Sequence, residues 1–343
     1  MEDLLCHEAW LSSLETPPEH FHERRGWILD GDVGSFYLTK EESKQALTMC
    51  LEKEFSFMPE PGYEEYLRSH GLVVARFRAV LWLVKSRPRF NLSIETVFNA
   101  VNYLDRFIST THFHGWKYWM IDLLSVACFS VASKFNETST PPLHEIQMVG
   151  LDHSFRSSTI QRMELALMRA LKWRLGCTTT YSYVELMTPI IISKKPNLIH
   201  KDLINQVTKM LLCALLDLKL LEFPPSVIAA SAIWNSLQEL IPSSDDAHFA
   251  ELSSLLNQQQ KQDGVIKCHE IMQAWSGDPF FNLLNASDDE YRCYHPSSPV
   301  TVLLKDPIHV DDCQVDLSLF NLPAGSIVID IESCGEKGKR EEE

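Results

Sequence analysis

Four charged residues, Arg76, Asp105, Lys134 and Glu164, follow one another at intervals of 29, 29 and 30 positions. Each lies in a stretch whose apolar residues recur at helical spacing. Two cations and two carboxylates spaced in this way assemble no nucleophile and base. What they can do is neutralise one another inside a helical bundle or stand at an interface. Asp105 falls on the stripe of Ile94, Val97, Phe98, Val101, Leu104 and Ile108, so its carboxylate points inward. Leu72, Ala79, Val80 and Leu83 surround Arg76, and that guanidinium interrupts a face that would otherwise be buried. The economical reading is that Arg76 and Asp105 form a buried pair. Lys134 continues the row of Ala127 and Val131, and Glu164 sits between Ile160 and Leu167. Nothing in the sequence gives these two a buried partner, which makes them interface candidates. The bland alternative puts both at stripe edges, where long side chains reach water.

The elements that must position these residues are helices. Thr39 with Glu42 makes a capping box ahead of Ala46, Leu47, Cys50 and Leu51, and the Pro- and Gly-rich run from Met58 to Gly62 closes that segment. Periodicity then predicts helices over 63–86, 93–109, 119–135, 142–150 and 158–174, the last opened by a capping signal of Ser158 with Gln161. Residues 122–133 are apolar or small nearly all round, as expected at the centre of a bundle. The run from Cys177 to Thr180 breaks the pattern, and Ser182 with Glu185 restarts it. Further helices are expected at 181–192, 198–222, 225–240, 247–259 and 264–275. Two successive units of about five helices hint at an internal duplication. The organisation read from this pattern is a flexible leader over 1–40, helical units over 41–178 and 179–285, and an acidic, mobile tail over 286–343. Within the tail, Ser326 to Glu332 has strand character.

Composition narrows the function. With 13 glycines in 343 residues, phosphate-cradling loops have little material, and a helical fold is favoured over a doubly wound sheet. The formal charge of −15 argues against nucleic acid and anionic lipid and for basic protein partners. No 18-residue apolar run appears, and Met1-Glu2-Asp3 lacks the order of a secretory signal, so a soluble intracellular protein is expected. Nine scattered cysteines without a Cys-x-x-Cys pair read as reduced thiols. Enzyme fingerprints are missing: no Gly-x-Gly-x-x-Gly, P-loop, His-Glu-x-x-His or Gly-x-Ser-x-Gly. His112 and His114 could ligate a metal but have no acidic or Cys neighbour, so no cofactor is expected. Trp116, Tyr118 and Trp119 are read as packing a loop onto the bundle.

Tyr103-Leu-Asp-Arg-Phe107, Ala132-Ser-Lys-Phe-Asn-Glu-Thr138 and Arg162-Met-Glu164 together resemble the cyclin family. The resemblance spans about 40–280, the usual two cyclin boxes, and is strongest over 72–175. Leu220-Leu-Glu-Phe-Pro-Pro-Ser226 and Cys268-His-Glu-Ile-Met272 are most similar to plant D-type cyclins. The resemblance implies an all-α fold of two tandem five-helix boxes, a buried pair at Arg76 and Asp105, and kinase contacts at Lys134 and Glu164. Leu4-Leu-Cys-His-Glu8 gives a Leu-x-Cys-x-Glu sequence. In an extended peptide Leu4, Cys6 and Glu8 project to one side, two small apolar groups and one carboxylate for adjacent pockets. In D-type cyclins this motif docks a retinoblastoma-related pocket protein.

Some residues depart from the family. Ala75, Arg78 and Ala79 stand where mitotic cyclins carry the apolar patch for Arg-x-Leu substrates, leaving Trp82 as the surviving patch residue. Leu81 and Asn136 replace an Asp and a Glu of the family pattern. Ser298-Pro299 is a minimal site for a proline-directed kinase. The expectation is thus a noncatalytic subunit that activates a cyclin-dependent kinase, recruits the pocket protein and promotes G1/S entry, in the nucleus and also the cytoplasm. Kinase inhibitors are further expected partners. The alternative is a helical scaffold of transcription-factor or pocket-protein type without kinase activation.

Overall fold

The computed structural model describes residues 39–277, apart from 112, 114, 148, 149, 193–196, 242–244, 257 and 258, together with 308–310 and 315. Among the described residues the chain forms twelve α-helices. Helix α1 (Lys40–Lys53) opens with the expected capping box: Thr39 accepts from the Glu42 amide, and Glu42 accepts from the Thr39 amide at 2.7 Å.

The single helix expected over 63–86 is two. Helices α2 (Tyr63–Ser69) and α3 (Val73–Arg89) are separated at Gly71, which lies at φ +65°. A bond from the Leu72 amide to the Leu67 carbonyl, 2.8 Å, closes the end of α2 across that left-handed glycine. The apolar period runs on through the break, so periodicity alone hides it.

Helices α4 (Ile94–Thr111), α5 (Tyr118–Asn136), α6 (Leu143–Gln147) and α7 (Ser157–Ala170) complete the first unit. The expected cap of α7 at Ser158 is not used: the helix starts at Ser157, and the N-cap position is Arg156 without a side-chain cap. Helix α5 has a window of mean hydropathy 1.2, apolar enough by length and composition to cross a bilayer, yet 72% of that window is buried within the protein. Its apolar surface goes into the bundle. Fully buried Leu124, Ala127, Cys128 and Phe129 from α5 meet Leu104, Phe107 and Ile108 of α4 in one core. Each such large side chain contributes roughly 1.5–3 kcal/mol.

Helices α8 (Thr180–Ile192), α9 (Asn197–Ala214), α10 (Pro225–Leu240), α11 (Asp245–Leu256) and α12 (Gln259–Gln273) form the second unit. The start of α8 is capped by Thr179 with Ser182 in reciprocal bonds, amide to hydroxyl at 3.2 and 3.3 Å, rather than by Ser182 with Glu185. Helix α9 stops at Ala214 instead of running to 222, and a 3-10 turn over Leu218–Leu220 follows. At the centre α10 begins on Pro225, whose missing N–H costs nothing in a first turn. Its small residues Ala229, Ala230 and Ala232 are fully buried. Helix α1, read from sequence as part of the first unit, packs instead on α8, and its Leu47 belongs to the second core.

Within the segment read as a mobile tail, Ile308–His309 forms a short strand, β2, in parallel register with β1 (His153–Ser154). Val310 and Val315 are buried in the first core. The strand-like run 326–332 lies outside the described residues.

Candidate functional site

Arg76 of α3 and Asp105 of α4 face each other inside the first unit. Arg76 Nε donates to Asp105 Oδ1 and Nη2 to Oδ2, both at 2.8 Å, and the Arg76 side chain is 1% exposed. The fork matches the carboxylate, the strong form of this contact. Two further partners complete it: the Tyr63 hydroxyl donates to Asp105 Oδ1 at 2.8 Å, and Arg76 Nη1 donates to the Leu215 carbonyl at 3.0 Å. Burial pulls the Arg76 guanidinium down, but the charge and hydrogen bonds of Asp105 outweigh it, and the net shift is upward. Burial, then the Asp105 charge, push the Tyr63 phenol well up, so it remains a donor. Tyr63 and Leu215 were not found from sequence. Nothing distinguishes Tyr63 from any aromatic on an apolar stripe, and the Leu215 carbonyl is freed only because α9 ends early.

Lys134 lies in the last turn of α5 and Glu164 in α7. Their side chains meet: Lys134 Nζ bonds Glu164 Oε1 at 2.8 Å and Oε2 at 2.7 Å. Lys134 is 49% exposed and Glu164 8%. The sequence reading left both without a partner, and the structure gives them each other. The ammonium faces water while the carboxylate beneath holds it in place, a charged pair on a rigid surface.

Neighbouring residues fix and extend this surface. Glu137, just past α5, accepts from the Ser93 amide and hydroxyl at 2.8 Å each and from the Thr96 hydroxyl, capping α4. The end of α5 is thereby tied to the start of α4. Phe135 is exposed, and its ring lies 3.8 Å from where a Cβ on Gly176 would stand. In the same connection Lys172 and Trp173 take φ of 53° and 59°. Two consecutive non-glycine residues in this region cost roughly 1–3 kcal/mol each. The bonds from Tyr103 Oη to the Leu175 carbonyl, 2.8 Å, and from Arg106 Nη1 to the Arg174 carbonyl, 3.1 Å, hold the turn. The result is an exposed Trp173 ring. Both polar atoms of the Asn136 amide are buried without a hydrogen-bond partner.

Trp82 is 7% exposed and packs edge-on to Phe129 with centroids 5.6 Å apart. Its ring is turned into the core, so it presents little surface as a substrate patch. Ala75 and Ala79 are buried as well, and the exposed Arg78 pairs with Asp152. Trp116 packs the loop before α5 as expected, donating to Tyr66 Oη at 3.1 Å, whereas Tyr118 is exposed. Leu4, Cys6, Glu8, His112, His114 and Ser298 lie outside the described residues. Among the described residues no group of three or more His, Cys, Asp or Glu side chains could hold a metal ion. The buried Cys268 thiol is pushed by burial up to about 12, and burial raises Cys128 as well. Both are structural thiols.

Residues 45–176 match the description "Cyclin, N-terminal domain" and residues 178–292 match "Cyclin, C-terminal domain". The chain is 35% identical over 246 residues to a putative cyclin-D7-1 of Oryza sativa subsp. japonica, covering 71% of this chain and 67% of that one. It is 31% identical over 266 residues to cyclin-D2-2 of the same species, covering 76% and 71%. Cyclin-D1-1 of Arabidopsis thaliana is 30% identical, covering 67% of each chain. Among solved structures, a viral cyclin from herpesvirus saimiri aligns with a TM-score of 0.52 at 14% identity, over 68% of this chain and 96% of that chain, which supports the fold. With two cyclin domains in tandem and plant D-type relatives over most of its length, the chain belongs to the cyclin family, in its plant D-type group, and is a regulatory subunit rather than a catalyst.

Proposed function

We propose that this cyclin binds and activates a cyclin-dependent kinase through the surface around Lys134 and Glu164. The observation that carries the reading is the geometry of that pair: a half-exposed ammonium held on a nearly buried carboxylate, beside exposed Phe135. Charge flanked by exposed aromatic surface is what a central recognition patch requires. Behind it, Arg76, Asp105 and Tyr63 tie α2 and α3 to α4, and Glu137 ties α4 to the end of α5, so the surface is preformed. A rigid face of this kind pressed on the kinase's mobile helix selects the conformation in which its Glu meets the ATP-anchoring Lys. The cyclin contributes position and no catalytic group.

The leader residues Leu4, Cys6 and Glu8 tether a retinoblastoma-related protein and raise its effective concentration at the kinase active site, so that its phosphorylation promotes G1/S entry in the nucleus. Reconstitution with candidate kinases tests the first part. Lys134→Ala is expected to weaken kinase binding about ten- to a hundredfold, as for loss of a charged interface contact, while stability drops by about 1–3 kcal/mol because the nearly buried Glu164 loses its cation. Undiminished kinase activation by this variant refutes the assignment. Cys6→Ala is expected to lose pocket-protein capture and to keep histone phosphorylation by the assembled kinase. Pocket-protein binding that survives the substitution removes the tether from the reading.

A further inference from the structure

We propose that the edge of β1 is a docking site for an extended peptide and that the chain's own segment around 308–315 occupies it in cis. Three observations place the site. First, β1 is held extended by groups other than the tail. Asp152, just before it, pairs with Arg78 of α3. His153 Nδ1 lies 2.7 Å from Asp122 Oδ2 of α5, and the Phe155 amide donates to Gln147 Oε1 of α6 at 2.6 Å. Second, among the described residues β2 is the only strand that pairs with this edge. The Ile308 amide donates to the Asp152 carbonyl at 2.8 Å and the Val310 amide to the Ser154 carbonyl at 3.0 Å. Third, beyond the two exposed residues of the ladder the segment seats apolar side chains in the protein. Ile308 is exposed, Val310 is buried in the first core, and further along Val315 is buried while its carbonyl accepts from Arg162 Nη2 of α7 at 3.5 Å.

A two-residue parallel ladder does not hold a strand by itself. The anchors are the two valines and the covalent tether, which gives the segment a high effective concentration at the site. An extended partner peptide with an apolar residue at the Val310 position and another further along uses the same edge and the same apolar positions. It must first displace residues 308–310. Residues 308–310 are therefore a reversible plug, and freeing them opens the site. This inference does not depend on the kinase surface, which lies on Lys134 and Glu164.

The test uses the full chain and a labelled peptide spanning Asp306–Ser318. Wild type should bind the peptide weakly, because the cis segment competes. Val310→Asp in the full chain should release the segment and bind the wild-type peptide about tenfold or more tightly than wild type does. A peptide carrying Val310→Asp should bind neither protein. Ile308→Pro removes the Ile308 amide donor at an exposed side chain, leaves the core untouched, and should also raise peptide affinity; it carries the test where Val310→Asp does not fold. Hydrogen exchange on wild type should show the Ile308 and Val310 amides protected. Equal peptide affinity in wild type and both variants, or unprotected amides at 308 and 310, overturns the proposal.

Discussion

Arg76→Ala lowers the unfolding free energy by about 3–5 kcal/mol, measured by urea denaturation with an unchanged dependence on urea concentration. The loss is large because of what stays behind. Asp105 retains only the Tyr63 hydroxyl on Oδ1, and Oδ2 loses the partner that the structure gives it. The Leu215 carbonyl loses its guanidinium donor at the same time, so one substitution loosens both the pairing of α3 with α4 and the seam between the two units. Arg76→Lys does not rescue the site, since an ammonium cannot form two parallel bonds to the carboxylate and also reach Leu215. Replacing both charges, Arg76→Met with Asp105→Leu, should cost less than Arg76→Ala alone, because no unpaired carboxylate remains. A loss under about 1 kcal/mol for Arg76→Ala would mean that the pair is solvated, contrary to the burial seen here.

The same pair shows why part of the fold was legible. Arg76 and Asp105 interrupt apolar stripes at helical spacing, and only mutual neutralisation makes that pattern affordable. Residue types and periodicity therefore point to the contact that Arg76 and Asp105 make. Lys134 and Glu164 were legible as special but not as partners, because a charge at a stripe edge is equally consistent with water. Only the crossing of α5 over α7 brings them to 2.7 Å. Helix ends followed local chemistry less faithfully. The Thr39 and Glu42 box was read correctly, but at Thr179 and Ser182 the cap lies three residues ahead of the expected one, since every Ser and Thr in that run offers a similar signal. The split at Gly71 was illegible because a Schellman turn keeps the apolar face in phase. The attachment of Val310 and Val315 to the first core had no local signature at all: two valines in an acidic segment become core residues only where β1 offers an edge.

Lys261→Ala should cost a comparable amount, about 3–5 kcal/mol, at a contact that no sequence pattern announced. Glu54 follows α1, and its side chain is 0% exposed; Lys261 of α12, 5% exposed, bonds Glu54 Oε2 at 2.6 Å across a separation of 207 residues. The second oxygen of Glu54 accepts from the Ser226 amide in the first turn of α10 at 2.7 Å, where the helix dipole also favours a carboxylate. The carboxylate is thus shared by a cation and a helix start, and both belong to the second unit. Removing Lys261 leaves the buried charge on the Ser226 amide without its cation. The expected signature is local as well as global: hydrogen exchange rises across α1 and residues 54–57, while the α4 and α5 amides beside Arg76 and Asp105 stay protected. The double variant Glu54→Gln with Lys261→Met should recover much of the loss, because an amide needs no counter-charge, and the double-mutant cycle should then return a coupling energy of about 0.5–3 kcal/mol. Because Glu54 stands between α1, which rides on α8, and the α2–α3 pair that carries Arg76, its release also frees the connection between α1, seated on the second unit, and the rest of the first unit. A variant that unfolds as one cooperative unit with no selective exchange at α1 would show that the domains are coupled through the Arg76–Leu215 seam instead.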